Sequence, residues 1–372
     1  MRVKSAYLLL AITLSACFLS FFGGLIAAAE VTPKESLLVL SKHDRTLAIV
    51  DPLSLKVVAR APVGEDPHEV VASSDGKTAY ASIYGGGRYH TLSVSDLVGQ
   101  KALPDIDTGA LNGPHGLAFA DGRVWFTAEG AKAIATYNPA TSKIDWIMGT
   151  GQNRTHMLYV TAGEKQIYTT NVSSATVSIL EKSGVPQMGP PPGMGPGPKD
   201  RPGGPHPQGV GAGDPGPGGP PRMDWNETVI AVGRGDEGFD VSPDGRELWT
   251  ANAQDGTVSI IDIAAKKVVA TLDPKTVSAN RLKFTPDGKL VLISSLGGGD
   301  LVILDATARK QVKRVKIGRG AAGIQMQPDG ARAFVACTPD NYVAVIDLKT
   351  LEVTGHIDAG GEPDGMAWAV RQ

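Results

Sequence analysis

Short stretches in which apolar and polar residues alternate run along most of this chain, and clusters of Pro, Asp, Asn and Gly separate them. The clearest set is four candidate strands at residues 238–241, 247–252, 257–262 and 267–272. Ser-Pro-Asp-Gly at 242–245 joins the first two, and this sequence favours a tight hairpin turn. Alternation with a period of two is typical of half-buried strands, so the set predicts a four-stranded antiparallel sheet.

This unit is repeated along the chain. An acidic or amide residue marks the end of the third strand in each copy, at Asp51, Asp96, Asn138, Glu181, Asp262, Asp305 and Asp347. The steps between these residues are 45, 42, 43, 81, 43 and 42, and the double-length step contains a Pro/Gly-rich tract at 184–221. A fixed period of this length with four short strands per copy is typical of a β-propeller, so seven copies predict seven blades.

The two ends of the chain complement each other. Residues 37–40, 47–50 and 57–60 are three candidate strands without an innermost strand, whereas 365–370 is an innermost strand alone. Joined, they make a seventh blade and close the ring without an exposed sheet edge. We therefore predict an all-β fold, a seven-bladed propeller over residues 30–372.

These repeats resemble the YVTN family of bacterial surface and periplasmic propellers. The similarity is carried by WTAN at 249–252, TVSIID at 257–262 and KVVAT at 267–271, with YTTN at 168–171 and TVSI at 176–179 as a second copy. It implies a seven-bladed propeller. It implies no particular activity, because propellers of this kind serve many roles.

One blade is similar to a different family. GPHGL at 113–117, VWFTAE at 124–129 and NPAT at 138–141 resemble the repeat of streptogramin (virginiamycin B) lyases. The similarity spans this one blade, and what it implies is lyase chemistry.

The N-terminus favours export. Arg2 and Lys4 precede an apolar run over residues 6–26, and small residues follow it. This order is typical of a secretory signal peptide, so we expect residues 1–29 to be removed and the mature chain to be periplasmic or extracellular, without a transmembrane segment. Two alternatives stay open: Cys17 ends a lipoprotein box and could carry a lipid, or the apolar run could remain as an anchor helix.

Composition excludes some partners and leaves others open. The net charge is −2 and charged residues make up 20% of the chain, so there is no basic excess for a nucleic-acid partner. Cys17 and Cys337 are the only cysteines, and we expect Cys337 to be a small buried apolar residue. The tract at 184–221, inserted in the third blade, has almost no apolar residue able to pack, which predicts disorder. A tether, a spacer, a contact for a partner or the cell wall, and a tolerated insertion all fit it.

One position of each repeat carries the candidate chemistry. The residues that enter the seven innermost strands are His68, His115, His156, Glu237, Asn280, Ala322 and Asp364. Innermost strands line the channel of a propeller, so these seven ring positions are expected to meet at one mouth of the channel. The loops between second and third strands fall on the same face, and there Arg88, Tyr89 and His90 are candidates for substrate contact, or else part of a solvated hairpin.

Three imidazoles and a carboxylate on adjacent blades predict a divalent metal site. His68, His115, His156 and Glu237 would bind Zn, Mn, Fe or Cu and leave a coordination position open. Glu237 could instead act as a general base, and Asn280 and Asp364 could contact a small ligand. The alternative is that the histidines only hydrogen-bond water or backbone at a wet channel mouth.

Two classes of function follow from these observations. The first is an exported metalloprotein that binds a small molecule and, if catalytic, performs hydrolysis or elimination. The second is a non-catalytic propeller that binds a protein, a glycan or another cell-envelope partner. No Ser-His-Asp order, phosphate-binding Gly loop or paired-Cys site supports another enzyme class, and the Cys-x-x-Cys-His sequence of attached haem is absent.

Overall fold

The computed structural model describes residues 31–185 and 222–372, which form seven four-stranded antiparallel sheets. The expected signal peptide and Cys17 lie outside the described residues, as does residue range 186–221 of the Pro/Gly-rich tract. Gly184 and Val185, which the sequence assigned to the tract, belong to a strand. The sheets are the blades of an all-β propeller, as predicted, and we number them from the blade that contains His68.

The strands follow the repeat. The chain begins with β1 (Glu35–Ser41), β2 (Thr46–Asp51) and β3 (Lys56–Pro62). Blades 1 and 2 consist of β4 (Pro67–Ala72), β5 (Thr78–Ile83), β6 (Thr91–Asp96), β7 (Lys101–Asp107), β8 (Pro114–Ala120), β9 (Arg123–Ala128), β10 (Ala133–Asn138) and β11 (Lys143–Gly149). Blades 3 and 4 consist of β12 (Thr155–Val160), β13 (Gln166–Asn171), β14 (Thr176–Val185), β15 (Arg222–Ala231), β16 (Asp236–Val241), β17 (Glu247–Asn252), β18 (Thr257–Asp262) and β19 (Lys267–Leu272).

The last blades complete the ring. Blades 5 and 6 consist of β20 (Ala279–Phe284), β21 (Leu290–Ser295), β22 (Asp300–Asp305), β23 (Lys310–Lys316), β24 (Ala321–Met326), β25 (Arg332–Cys337), β26 (Tyr342–Asp347) and β27 (Glu352–Ile357). Blade 7 joins β28 (Pro363–Val370) to the three N-terminal strands in the order β28-β1-β2-β3. The predicted closure is therefore confirmed, with Leu37 opposite Trp368 in the antiparallel ladder. Three short 3-10 turns, Gly85–Gly87, Ala162–Glu164 and Thr338–Asp340, are the helical elements of the described residues.

The hydrophobic core is divided among the gaps between neighbouring blades. Because side chains alternate along each strand, every central strand buries apolar residues against the blade on either side. Trp249 of blade 4, for example, packs against Phe284 of blade 5 with the ring centroids 5.5 Å apart. Cys337 belongs to one such core and is fully buried, as expected, and burial raises the pKa of its thiol to about 12.

A bulge at the start of each innermost strand positions the channel mouth. In blade 1, Pro67 pairs with Ile83 and Val70 with Ala81, so the innermost strand holds one residue more than its neighbour. The same shift occurs at the ring position of all seven innermost strands. A bulge frees residues from the ladder and turns side chains out of the sheet. It therefore lets the ring residue project into the channel.

Neighbouring innermost strands approach closely at these bulges. The residue after the ring position is Gly116, Gly238, Gly323 or Gly365 in four of the blades. A Cβ atom on any of them would lie 2.1–2.6 Å from the carbonyl oxygen of the ring residue in the next blade. Hydroxyl groups of second strands donate to three of the ring-residue carbonyls, as where Thr127 donates to the His156 oxygen at 2.6 Å. The channel mouth is thus a packed structure.

The β14–β15 hairpin is longer than the others and projects from the opposite face. It pairs without interruption from Thr176–Ala231 to Val185–Arg222. Third and fourth strands are joined on the face away from the ring residues, so the hairpin lies far from the channel mouth. Within residues 31–185 and 222–372, no helix is long and apolar enough to cross a membrane.

Candidate functional site

All seven ring positions line one cavity at the channel mouth. Its volume is about 380 Å³, within the usual size of small-molecule sites. Lys42, Tyr84, Arg154 and Arg281 share its wall. The residues that the repeat spacing placed at the channel mouth therefore all line this cavity. The contacts within it divide the ring residues into two groups.

The first group is built around a pair of buried imidazoles. The His115 and His156 rings lie 3.9 Å apart between centroids, and each residue is only 2% exposed. Glu129, from the loop after β9, is also buried and contacts His156 Nδ1. The ligand atoms of these three residues lie within 4.8 Å of one another, so this His/Glu cluster could bind a metal ion.

Glu129 was not among the metal ligands predicted from the sequence. It holds its place through two further contacts: the Tyr84 hydroxyl donates to Oε2 at 2.5 Å, and Arg154 Nε lies 3.3 Å from the same oxygen. Its only sequence signal was a position in a loop on the channel-mouth face. That signal was too weak to identify Glu129 as a ligand. Its contact with His156 is made between two blades, and the position of a residue in a loop does not predict such a contact.

Glu237 lies on the other side of His156. Its Oε2 forms an ion pair of 2.8 Å with His156 Nε2. Burial is the largest influence on His156 and would lower its pKa, but the charges of Glu237 and Glu129 outweigh burial and raise it. Burial would likewise raise the pKa of Glu237, yet His156, Arg281 and Arg154 hold it at about 2. His156 thus lies between two carboxylates that favour its protonated form.

His115 has the opposite electrostatic character. Burial first, and then the positive charges of His156 and His68, hold its pKa well below the usual value. It is therefore neutral near pH 7, the form in which imidazole binds a metal. His115 Nε2 shares a proton with His68 Nδ1 at 3.2 Å, and His115 Nδ1 is buried without a hydrogen-bond partner.

The second group surrounds His68, and here the structure differs from the predicted ligand set. His68 Nε2 lies 3.0 Å from Asp66 Oδ1, and its Nδ1 lies 3.4 Å from Lys42 Nζ. Lys42 in turn forms an ion pair of 2.5 Å with Asp364, a predicted ligand contact. His68 is thus turned toward these charges, and the cluster of possible metal ligands in the described ranges does not include it.

Arg281 closes the cavity from below and was missed by the sequence analysis. It follows the ring residue Asn280 of blade 5, and its guanidinium reaches across the channel to Glu69 of blade 1 at 2.5 Å. Arg281 also lines a second cavity deeper in the channel, so the ion pair separates the two. Its Nη1 is buried without a hydrogen-bond partner. The sequence did contain a signal for Arg281. The residue after the ring position is glycine in four blades, so an arginine at the same position in blade 5 is unusual.

Arg88, Tyr89 and His90 do not line the cavity. Arg88 donates to the Gly85 carbonyl at 3.2 Å, and His90 Nδ1 lies 2.8 Å from Asp107 on the exposed surface. The tight glycine turn before them brings Tyr84 to the cavity wall instead. Their predicted role in substrate contact thus has no support from this arrangement.

Comparison with known proteins places the chain by its fold. The family described as "Cytochrome D1 heme domain" matches residues 220–323, which is 104 of the 372 residues. No curated protein sequence matches the chain. Together, the fold and the site define a seven-bladed β-propeller with a His/Glu cluster at the mouth of its channel.

Several solved structures share this fold at low identity. A functionally unknown protein from Desulfotomaculum acetoxidans has a TM-score of 0.66 at 12% identity, covering 91% of this chain and 99% of that one. A candidate 6-phosphogluconolactonase from Bacteroides uniformis has a TM-score of 0.65 at 16% identity, covering 91% and 100%. Dihydro-heme d1 dehydrogenase NirN, in complex with DHE, has a TM-score of 0.59 at 16% identity, covering 88% and 64%. At these identities the likeness concerns the fold alone.

Proposed function

We propose that this protein binds a divalent transition metal ion through His115, Glu129 and His156 at the mouth of its channel. The observation that carries the proposal is the convergence of two buried imidazoles and a buried carboxylate within 4.8 Å. Zinc, manganese, iron and copper all accept this combination of ligands. His115 is already neutral, and His156 would exchange its proton for the ion.

The cavity beside this cluster would take a small anionic molecule. Lys42, Arg154 and Arg281 supply three cationic groups to its wall, each ion-paired with a carboxylate, and Asn280 adds an amide. Arg281 is the strongest of these candidates, since one of its buried donors lacks a partner. A carboxylate or phosphate group would satisfy that donor.

Glu237 is better suited to positioning His156 than to general-base catalysis. A bound metal ion can activate a ligand or a water molecule. Glu237, the predicted general base, has a pKa of about 2 beside His156 and is therefore a weak base near neutral pH. Its contact with His156 suits a positioning role.

A bare ion fits the cluster better than a haem group. The part of the chain similar to cytochrome d1 haem domains contains no histidine, so an axial imidazole would have to come from the cavity. Of the nitrogens there, His115 Nδ1 is buried without a hydrogen-bond partner, and His156 Nε2 is buried and ion-paired with Glu237. A planar macrocycle needs an accessible nitrogen with open space around it, whereas an ion can sit between the side chains.

Calorimetric titration of the metal-free protein with zinc, manganese, iron and copper tests the proposal. We expect one ion per chain, with affinity that rises with pH because His156 must lose a proton. His115→Ala and His156→Ala should each weaken binding by more than about 100-fold, beyond the effect usual for residues that only support a ligand. His90→Ala, which removes an exposed imidazole on the same face, is the matched control. No binding by the parent protein, or equal binding by all variants, would refute the site.

A further inference from the structure

A cleft lined by tryptophans lies between blades 2 and 3, on the face opposite the channel mouth. Trp125, Trp146 and Trp225 form it, with ring centroids 5.2 and 5.7 Å apart along the series, and the cavity they line measures about 180 Å³. We call this the Trp cleft. Glu164 bridges Arg123 and Lys182 at 3.1 Å each along its rim.

The Trp cleft has features beyond those of a core between blades. Trp146 and Trp225 are only partly buried, so their ring faces border open space. Trp125 is 2% exposed and its indole N–H has no acceptor, whereas the N–H groups of Trp249 and Trp368 donate to glutamates at 2.8 and 3.3 Å. A buried donor without a partner next to a cavity indicates a ligand that supplies an acceptor.

Aromatic ring faces beside a hydrogen-bond donor are suited to binding a proline-rich peptide. A proline-rich chain in the polyproline II conformation presents prolyl rings to aromatic faces, and its carbonyl groups have no partners within the chain. Prolines restrict the backbone, so a proline-rich stretch loses less conformational entropy on binding than a stretch without proline. The cationic site above Trp225 is taken by the protein's own Lys182, whose Nζ lies 5.0 Å from the ring centroid. That contact argues against a cationic ligand.

The chain itself carries a proline-rich segment, and the ends of this segment lie beside the Trp cleft. Thirteen of the 26 prolines lie in residues 186–221, including the run at 190–192 and the spaced pairs at 202–205 and 217–220. The segment leaves β14 at Val185 and returns to β15 at Arg222. Lys182 lies three residues before Val185, and Trp225 lies three residues after Arg222. These two residues of the cleft are paired with each other in the hairpin.

We propose that a proline-rich stretch of residues 186–221 docks into the Trp cleft of the same chain. The segment is long enough to reach the cleft. The cleft residues lie three strand residues, or about 10 Å, from its ends, whereas a flexible glycine-rich chain of 36 residues has an end-to-end distance of about 33 Å. A tether of this kind gives an effective concentration on the order of 1 mM. A peptide that binds with a Kd on the order of 0.1 mM in trans would then be docked about nine-tenths of the time in cis.

Indole N–H spectra of the five tryptophans test this docking. The parent chain is compared with a full-length variant in which every proline of 186–221 is serine, which keeps the hairpin intact. We expect the signals of Trp125, Trp146 and Trp225 to differ between the two, while Trp249 and Trp368, in other blades, serve as internal controls. Identical spectra would overturn the proposal.

A deletion variant supplies the second arm. Val185 and Arg222 are paired residues, so an Asn-Gly turn between them closes the hairpin without the segment. A synthetic peptide of residues 186–221 should shift the three cleft signals of this variant toward their positions in the parent chain, and the proline-to-serine peptide should not. Equal effects of the two peptides would contradict recognition of proline. Parent spectra that change with protein concentration would show docking between copies and would also overturn the proposal.

Discussion

Gly116→Ala should destabilise the channel mouth without removing any polar group. A Cβ atom at this position would lie 2.4 Å from the His156 carbonyl oxygen and 2.7 Å from Met157 Cα, whereas real Cβ contacts essentially never fall below 3.0 Å. Both neighbours are backbone, so blades 2 and 3 must move apart. The Thr127 hydroxyl accepts from the Gly116 N–H at 2.9 Å and donates to the same His156 oxygen, so its hydrogen bonds would be strained too.

The magnitude follows from these two effects. Overpacking costs about 1–3 kcal/mol, and weakening one buried hydrogen bond adds about 1 kcal/mol, so we expect a loss of about 2–4 kcal/mol in the free energy of unfolding. Urea denaturation measures this loss. Separation of His115 from His156 should also weaken metal binding, which the calorimetric titration measures.

Gly149→Ala is the matched control. A Cβ atom at Gly149 would meet nothing within 4 Å, and the backbone there is in an ordinary conformation. We expect this variant to be as stable as the parent or more stable by up to about 1 kcal/mol, through restriction of the unfolded chain. If Gly116→Ala and Gly149→Ala were equally stable, the close packing of the innermost strands would not hold the channel mouth together.

Three further predictions concern ionisable groups. Burial raises the pKa of Asp236 to about 8, above its unfolded value, so the neutral acid favours the fold at low pH and stability is lost as pH rises from about 4 to 8. Asp236→Asn should remove this loss, which amounts to up to about 1.4 kcal/mol per pH unit. If the free energy of unfolding fell with pH equally in parent and variant between about pH 4 and 8, the prediction would be wrong. Glu129→Gln removes one of two carboxylates beside His156, so the pKa of His156 measured by NMR should fall, and an unchanged titration would disprove their coupling. Cys337, buried and with a pKa of about 12, should react with a thiol reagent at pH 7 only after unfolding, which absorbance detects; rapid reaction of the folded protein would be the opposite result.

The sequence by itself determined the architecture. The blades are specified by local features, namely alternation with a period of two, Asp-Gly and Pro turns in most copies, and an acidic or amide residue at the end of the third strand. Repetition of these features fixed the number of blades, the closure of the ring, and the single position that faces the channel mouth. His68, His115, His156 and Glu237 could be found because that position recurs at the same step.

Only the tertiary structure decided which of these residues act together. Glu129 approaches His156 from a loop of the neighbouring blade, and Arg281 meets Glu69 across the channel, over 212 positions of sequence. His68 occupies the predicted ring position and contacts His115, yet its other nitrogen faces Asp66 and it lies outside the His/Glu cluster. These contacts depend on the distances between blades and on the competition of nearby charges for each side chain. A repeating local pattern places a residue at the channel, but the pairing of charges there is decided by neighbours that are distant in sequence.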